Sequence, residues 1–363
     1  MRKAYKYRLF PTDAQHQALE AQLGEACRLY NAALQERRDA YQKSGVSLNY
    51  YDQANQLKEI RGLGFLDLAN YSACQDILRR VEKTFKAFFR RIKAGQKAGY
   101  PRFKSPGRFD SYTFPSSGDG CRLTGARLYV QGVGHIKVKL HRPVDGMIKT
   151  ITIKRECGTW YACFSVEVET TPLPETDTRM GLDVGLTAFA TLADGTEIDN
   201  PRYYQRAHAQ LRVAQRRVAR RKRGGKNRRK AVLLLQKAHA KVKNQRADFH
   251  HKVARTLVNA YGVIAVEDLN IKGLASGMLA KSVNDAGWSS FIGKLAYKAA
   301  EAGRKLIAVE PRGTSQVCLC GVPVPKALSQ RWHQCPACGL SAARDHVSAQ
   351  LILGLGLSLL GVT

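Results

Sequence analysis

An acidic residue stands inside an apolar run in "RMGLDVGLTAFATLADGTEID", and few features constrain the fold of a 363-residue chain as tightly. Residues 180–186 read as a buried strand, 188–193 as a second, and Asp194-Gly195 as a hairpin-type turn. Asp183 lies in the first strand. Burying an unpaired carboxylate costs several kcal/mol, roughly, unless a cation or hydrogen-bond donors compensate it. A fold that keeps Asp183 there has to bring something to it.

Two other acids occupy matching places. "YGVIAVEDLN" reads as a buried strand, 263–266, ending in Glu267 and Asp268. "WSSFIGKLAYKAAEAGRKLIAVE" gives an amphipathic helix over 288–302, a stop at Gly303 and a strand over 305–309. "RDHVSAQLILGL" then opens a helix with Asp345. Strand with Asp, hairpin strands, helices, strand ending in Glu, helix, strand, helix starting with Asp is the order of a ribonuclease H-like α/β fold. In-line cleavage of a phosphodiester needs two divalent ions about 4 Å apart. Mg²⁺ takes hard oxygen ligands, so carboxylates from separate elements must converge on one sheet edge. A strand-end acid alone is more often a cap or a surface group. Asp183, Glu267 and Asp345 together are the candidate catalytic residues and magnesium ligands. Asp268 faces away from Glu267 on a pleated strand and reads as structural; Asp194 and Asp199 read as turn residues.

Charge points to the partner. Lys and Arg number 59 against 29 acids, a formal net charge of +30. Basic side chains laid on phosphates release condensed counterions, so this surplus indicates a polyanion. It is concentrated in residues 201–250, which hold seventeen Lys or Arg and one acid, Asp248. That segment reads as two helices broken at Gly224-Gly225, with apolar stripes at Leu211, Ala214, Val218 and at Leu235, Ala238, Val242. A charge run is usually a solvated face, but one of nearly single sign repels itself unless an anion lies against it. Arg206, Arg216, Arg217, Arg220, Arg221, Lys222, Arg223, Lys226, Arg228, Arg229, Lys230, Lys241, Lys243 and Arg246 are the candidate backbone contacts there.

Of nine cysteines, five are scattered (Cys27, Cys74, Cys121, Cys157, Cys163) and read as small core residues of a reducing compartment. The other four form "CLCG" and "CPACG", placing Cys318, Cys320, Cys335 and Cys338 at zinc-ribbon spacing. Four thiolates leave no open position, so this zinc would be structural. The first pair is C-x-C, one residue shorter than usual. Either the metal is held less well or the turn is rebuilt.

The N-terminal half begins with a strand in "MRKAYKYRLF", is helical from Thr12 to about Ala98, and turns to strands over 108–171. The helix over 71–94 carries Gln75, Arg79 and Lys83 as candidate nucleic-acid contacts, Gln75 being able to read an adenine edge. Tyr50 and Tyr51 can stack on a base or pack in the core. No run reaches the roughly 20 apolar residues of a membrane span, and "MRKAYKYRLF" lacks the apolar centre of a signal peptide.

"YKYRLFPTDAQ", "ACRLYNAALQERRDAY", "GYPRFKS", "GLDVGL", "VEDLNIKG", "SVNDAGWSSFIGKLAYKA", "TSQVCLCG" and "QCPACG" resemble the TnpB family, RNA-guided nucleases of bacterial insertion sequences related to type V CRISPR effectors. The resemblance covers nearly the whole chain. It implies a β-barrel wedge domain over 1–11 and 104–175, a helical recognition domain over 12–103, and a RuvC-type nuclease domain over 176–363 with a zinc ribbon at 314–340. The family's catalytic residues map onto Asp183, Glu267 and Asp345. The implied cofactors are two Mg²⁺ and one structural Zn²⁺. The implied partners are a guide RNA from the transposon end and double-stranded target DNA bearing a short flanking motif. A monomer on RNA, in the bacterial cytoplasm with the nucleoid, is the implied setting. In the family's last motif an Asn usually stands two residues after the Asp, followed by small residues and a second Asn. Here those places hold Val347 and Leu351, so weaker support for the metals is expected and Val347→Asn should lower the Mg²⁺ requirement. A guided repressor without cleavage and a strand-transfer transposase are the alternative readings.

Overall fold

The computed structural model describes residues 1–327 and 329–361; Leu328, within the expected ribbon, and residues 362–363 lie outside the described residues. The chain divides into two compact units, Met1–Glu169 and Thr170–Thr363.

The first unit runs β1 (Arg2–Phe10), α1 (Asp13–Ser44), α2 (Tyr50–Gly62), α3 (Tyr71–Lys93), β2 (Ser111–Phe114), β3 (Cys121–Thr124), β4 (Arg127–Val130), β5 (Gly134–Lys139), β6 (Met147–Glu156) and β7 (Thr159–Glu167). Strict alternation in "RKAYKYRLF" turns Tyr5, Tyr7 and Leu9 inward, so β1 can sit mid-sheet between β7 and β5. Thr12 and Gln15 close a capping box that starts α1. Arg37 ties the three helices together: it is buried and donates to Gln53 of α2 at 2.8 Å and to Glu82 of α3 at 2.7 Å.

The sheet order is β2-β6-β7-β1-β5-β4-β3, with β2 and β3 at opposite edges although only residues 115–120 separate them. Six linking residues span at most about 25 Å, so the sheet must curl to bring its edges back. Among the described residues no ladder joins β2 to β3. The sheet expected as a β-barrel is a half-barrel. At that edge Arg80 of α3 donates to the Ser111 carbonyl at 2.7 Å and to the Thr113 hydroxyl at 2.7 Å. The guanidinium thereby occupies one backbone carbonyl at the open edge of β2.

The second unit runs β8 (Arg179–Val184), β9 (Ala188–Leu192), β10 (Glu197–Asp199), α4 (Tyr203–Ala219), α5 (Lys226–Ala260), β11 (Val263–Glu267), α6 (Ile271–Leu274), α7 (Ala280–Ala286), α8 (Trp288–Glu301), β12 (Lys305–Val309), β13 (Trp332–Gln334), β14 (Ser341–Ala343) and α9 (Arg344–Leu359). Five strands form one sheet in the order β10-β9-β8-β11-β12. β8, β11 and β12 run parallel, and β8, β9 and β10 form the antiparallel meander at one side. Ile264 and Val266 face a core shared with Leu257, Phe291 and Leu295 of α5 and α8, while Ala265 packs against Ile352 of α9. α9 comes close because glycine allows it: a Cβ on Gly181 would lie 2.0 Å from the Ala349 carbonyl, and one on Gly356 2.6 Å from the Ala265 Cβ. α4 and α5 form an antiparallel pair whose facing stripes bury Leu211 and Val242.

Candidate metal centre and nucleic-acid interface

β8 and β11 are paired in parallel with Leu182 opposite Val266, so the next residues, Asp183 and Glu267, leave neighbouring strands at the same level. That is the carboxyl end of the parallel strands, where open α/β sheets hold their ligands. α9 crosses the same strands and carries Asp345 in its first turn, a place where the helix dipole also favours an acid. Asp183 therefore lies within the field of both other acids. Burial holds the Asp183 carboxyl well above the usual carboxylate range, and the charges of Glu267 and Asp345 push it further against the pull of Arg344. Burial likewise raises Glu267, opposed by a hydrogen bond from the Thr314 hydroxyl.

Asp345 is gripped by arginines. Arg344 donates to its Oδ1 from Nε at 3.0 Å, and Arg331 reaches its Oδ2 at 3.8 Å. Neither Thr314 nor Arg331 carries a periodicity or spacing signal, because each acts across the fold from the loop or ribbon that precedes α9. His346 turns elsewhere, to the Ala193 carbonyl at 3.1 Å, and pins the start of α9 to the turn after β9. Val347 is 2 % exposed. An Asn there would bury an amide in need of partners, and the arginines already orient Asp345. The expectation that Val347→Asn eases metal binding gives way to one of lost stability.

The four cysteines form a different kind of site. Their sulfurs all lie within 4.8 Å of one another, with Cys318 and Cys338 at 3.6 Å and Cys320 and Cys335 at 3.7 Å. Tetrahedral thiolates about 2.3 Å from zinc are about 3.8 Å apart, so the donor set fits that ion. In the second knuckle Gly339 N–H reaches the Cys335 carbonyl at 3.1 Å, and Cys335 N–H reaches Leu340 at 2.9 Å. In the first, Gly321 bonds to Cys318 and Cys318 to Val322, both at 2.9 Å. The short C-x-C turn is the same ring rebuilt with one residue fewer, and Gly321 takes its left-handed φ of 85° as Gly339 does at 74°. The Cys335 thiol is pulled down to about 6, chiefly by the backbone N–H of Cys338. About one zinc per chain is expected, and Cys335→Ser should release it and lower stability by several kcal/mol, roughly. Elemental analysis beside thermal unfolding checks this; a folded, active preparation without zinc would rule it out. β13 pairs with β14, which leads directly into α9, so the ribbon also anchors the strand that delivers Asp345.

The basic candidates divide in two. Arg206, Arg216, Arg217, Arg220, Arg221, Lys222, Arg223, Lys226, Arg229, Lys230, Lys241 and Lys243 are exposed on α4, α5 and their turn. Arg228 is turned inward instead, donating to the carbonyls of Val218 at 2.7 Å and Arg221 at 3.1 Å, and so staples the hairpin. Arg246 is half-buried and bonds to the Asn284 carbonyl. In the first unit Gln75 and Arg79 are half-buried and Lys83 is exposed; the Arg79 guanidinium lies 5.0 Å from the Tyr50 ring centre. Tyr51 is exposed. One residue invisible to spacing arguments is Asp285. It lies in α7 and accepts from the N–H groups of Tyr204 at 2.8 Å and Gln205 at 3.0 Å, capping α4 from a distant segment because Arg202, at φ 46°, offers no cap of its own.

Three family models match: one described as "Probable transposase" over 163–277, one as "Cas12f1-like, TNB domain" over 288–352, and one as "Helix-turn-helix domain" over 1–45. The last span holds β1 and the single helix α1 here. A Streptomyces pristinaespiralis protein provisionally named RNA-guided DNA endonuclease is 30% identical over 368 residues, covering 99% of this chain and 90% of that protein. InsQ of Escherichia coli K12, provisionally named in the same way, is 29% identical over 379 residues, covering 98% and 92%. Among solved structures, the mini-RNA-guided endonuclease CRISPR-Casφ3 covers 98% of this chain and 92% of that one at 9% identity and a TM-score of 0.51, a likeness of fold alone. Matches running the length of the chain set its class, the OrfB proteins of insertion sequences. Within that class, the chain belongs to the TnpB family.

Proposed function

We propose that the chain is an RNA-guided DNA endonuclease encoded by an insertion sequence, and that it cuts DNA at the edge where β8, β11 and α9 bring Asp183, Glu267 and Asp345 together. The observation that carries the reading is that Asp183 and Glu267 leave paired parallel strands at one level, with Asp183 in the field of both Glu267 and Asp345. The names of the relatives, RNA-guided DNA endonuclease and CRISPR-associated endodeoxyribonuclease Cas12f1, support the same activity.

The 3-2-1-4-5 strand order, with the first three strands antiparallel, favours a ribonuclease H-like, RuvC-type domain over 176–363, with its ribbon at 314–340. The curled sheet and helices of the first unit suit a wedge over 1–11 and 104–175 and a recognition insertion over 12–103. The three carboxylates are the candidate ligands for two Mg²⁺. Their hard oxygens, and the charge that Glu267 and Asp345 place on Asp183 against the pull of Arg344, suit divalent cations, which when bound would activate water and stabilise the leaving oxygen. Thr314 holds the Glu267 carboxylate in one orientation, and Arg344 and Arg331 hold that of Asp345. The exposed cations of α4 and α5 lie on phosphates of RNA and DNA, and Gln75, Arg79 and Lys83 face the motif beside the target. A guide RNA from the transposon end and a monomeric complex complete the reading.

The test is to purify the chain with the RNA it retains, sequence that RNA, and assay Mg²⁺-dependent cutting of a matching duplex. One RNA species and guide-directed double-strand cleavage are expected. Guide-directed binding without cutting would make it a repressor; strand transfer without RNA would make it a transposase.

A further inference from the structure

Beside the acids, and outside the roles given above, the second unit holds a cavity of about 600 Å³. That is the size range of a site for one small ligand, about 300–1,000 Å³. Its walls come from four places: the loop after β8, the start of α4, α7, and Arg331 of the ribbon. Arg331 also reaches Asp345, so the cavity is joined side to side with the acid edge.

The wall chemistry is selective. Tyr204 and His208 stand four residues apart on one face of α4, with ring centres 5.8 Å apart, and Leu279 adds an apolar surface. Lys281, Arg202 and Arg331 make the cavity cationic. Its one acid among the described residues, Asp285, is buried with both oxygens turned to the N–H groups of α4, and the three cations outnumber it. Asn200 is likewise engaged, with the Leu186 carbonyl and the Arg202 N–H. The Gln205 amide, by contrast, has no side-chain hydrogen-bond partner among the described residues. Rings that can stack, a free amide that can read a base edge, and cations that can hold a phosphate describe one nucleotide out of its stack.

We propose that this cavity binds a single unstacked nucleotide of the DNA strand being cut, next to the scissile phosphate. The inference rests on the nuclease reading for the identity of the strand. A paired and stacked base cannot enter, so the nucleotide must be unpaired there, most cheaply in a strand already single, and its seat sets how far along the strand the acids act.

The experiment uses the guide-RNA complex, with Gln205→Ala/His208→Ala as the variant. Single-turnover cleavage is measured on targets carrying one abasic position at a time. In the wild type, removal of one base beside the cut should slow cleavage about tenfold. The variant should be about tenfold slower on intact DNA, no slower again on that abasic target, and unchanged in target binding. Losses that multiply, or a variant that cuts at the wild-type rate, overturn the proposal. A second arm needs no cleavage: 4-thiothymidine is placed in turn along the displaced strand in EDTA and cross-linked by light. Attachment within 203–208 or 279–285 is expected, and attachment confined to other segments overturns the site. Free thymidine monophosphate competing away that cross-link would assign the cavity to any nucleotide and overturn its assignment to the strand. A cross-link there without cutting in Mg²⁺ would leave the cavity standing and fail the nuclease reading.

Discussion

Asp183→Asn is expected to abolish cleavage, by about 10³-fold or more, while making the metal-free protein more heat-stable at neutral pH. The first effect follows from the proposed metal site, where a lost ligand would forfeit several kcal/mol, roughly, of transition-state charge stabilisation. The second follows from the sign of the pKa shift. The folded state holds the Asp183 proton more tightly than the unfolded chain does, because burial and the charges of Glu267 and Asp345 oppose ionisation. Such a group contributes stability below its unfolded pKa of about 3.9, and that contribution is lost as pH rises through the raised folded value. At neutral pH, above the unfolded value, the folded state bears this cost either as repulsion or as uptake of a proton, and an amide bears neither. A rise of about 2–4 °C in Tm is expected for a unit of this size. Asp345→Asn should abolish cutting equally but give no such rise, since it strips Arg344 and Arg331 of their partner. RNA and target binding should survive both changes. Near-normal cutting by Asp183→Asn would remove it from the metal site, and an unchanged Tm would remove the repulsion.

What the sequence revealed and what it concealed divide along a physical line. Asp183, Glu267 and Asp345 were legible because a charged residue in an apolar run is costly, and cost implies compensation. β8, β11, β12, α8 and α9 were legible because period and glycine stops locate them within a residue or two. How far the β-barrel sheet curls was not legible, since its β2 edge meets a side chain, Arg80, that comes from another element. Asp285 and Thr314 stayed hidden for the same reason: their partners lie 80 and 47 residues away, and no local pattern encodes such a pairing. Composition marked the basic region but could not tell Arg228, which staples a turn, from its exposed neighbours.

Gly181→Ala tests whether the small residue in "GLDVGL" exists for the sake of the acid two positions on. A Cβ there would meet the Ala349 carbonyl at 2.0 Å and Leu353 at 2.8 Å, and backbone cannot swing aside as a flexible side chain can. Either α9 lifts from β8 or the strand bends, and both move Asp345 relative to Asp183. Overpacking of this kind typically costs about 1–3 kcal/mol, and a clash with backbone belongs at the upper end. Small misplacements of a catalytic group, about 1 Å, can cost about 10²-fold in rate. The expected result is a lower Tm together with a loss of cleavage of about that size, with guide RNA still bound through α4 and α5. Gly356→Ala is the control on the same helix. Its Cβ would clash with the Ala265 Cβ, at 2.6 Å, and touch the Ala265 Cα and Val309 Cγ1 at 3.8 Å, and it lies eleven residues past Asp345, three turns down α9. It should lower stability while sparing cleavage measured below its Tm. If both variants lose cutting in proportion to stability alone, α9 serves the fold and not the position of Asp345; if Gly181→Ala cuts normally, the helix tolerates a shift that the acid does not feel.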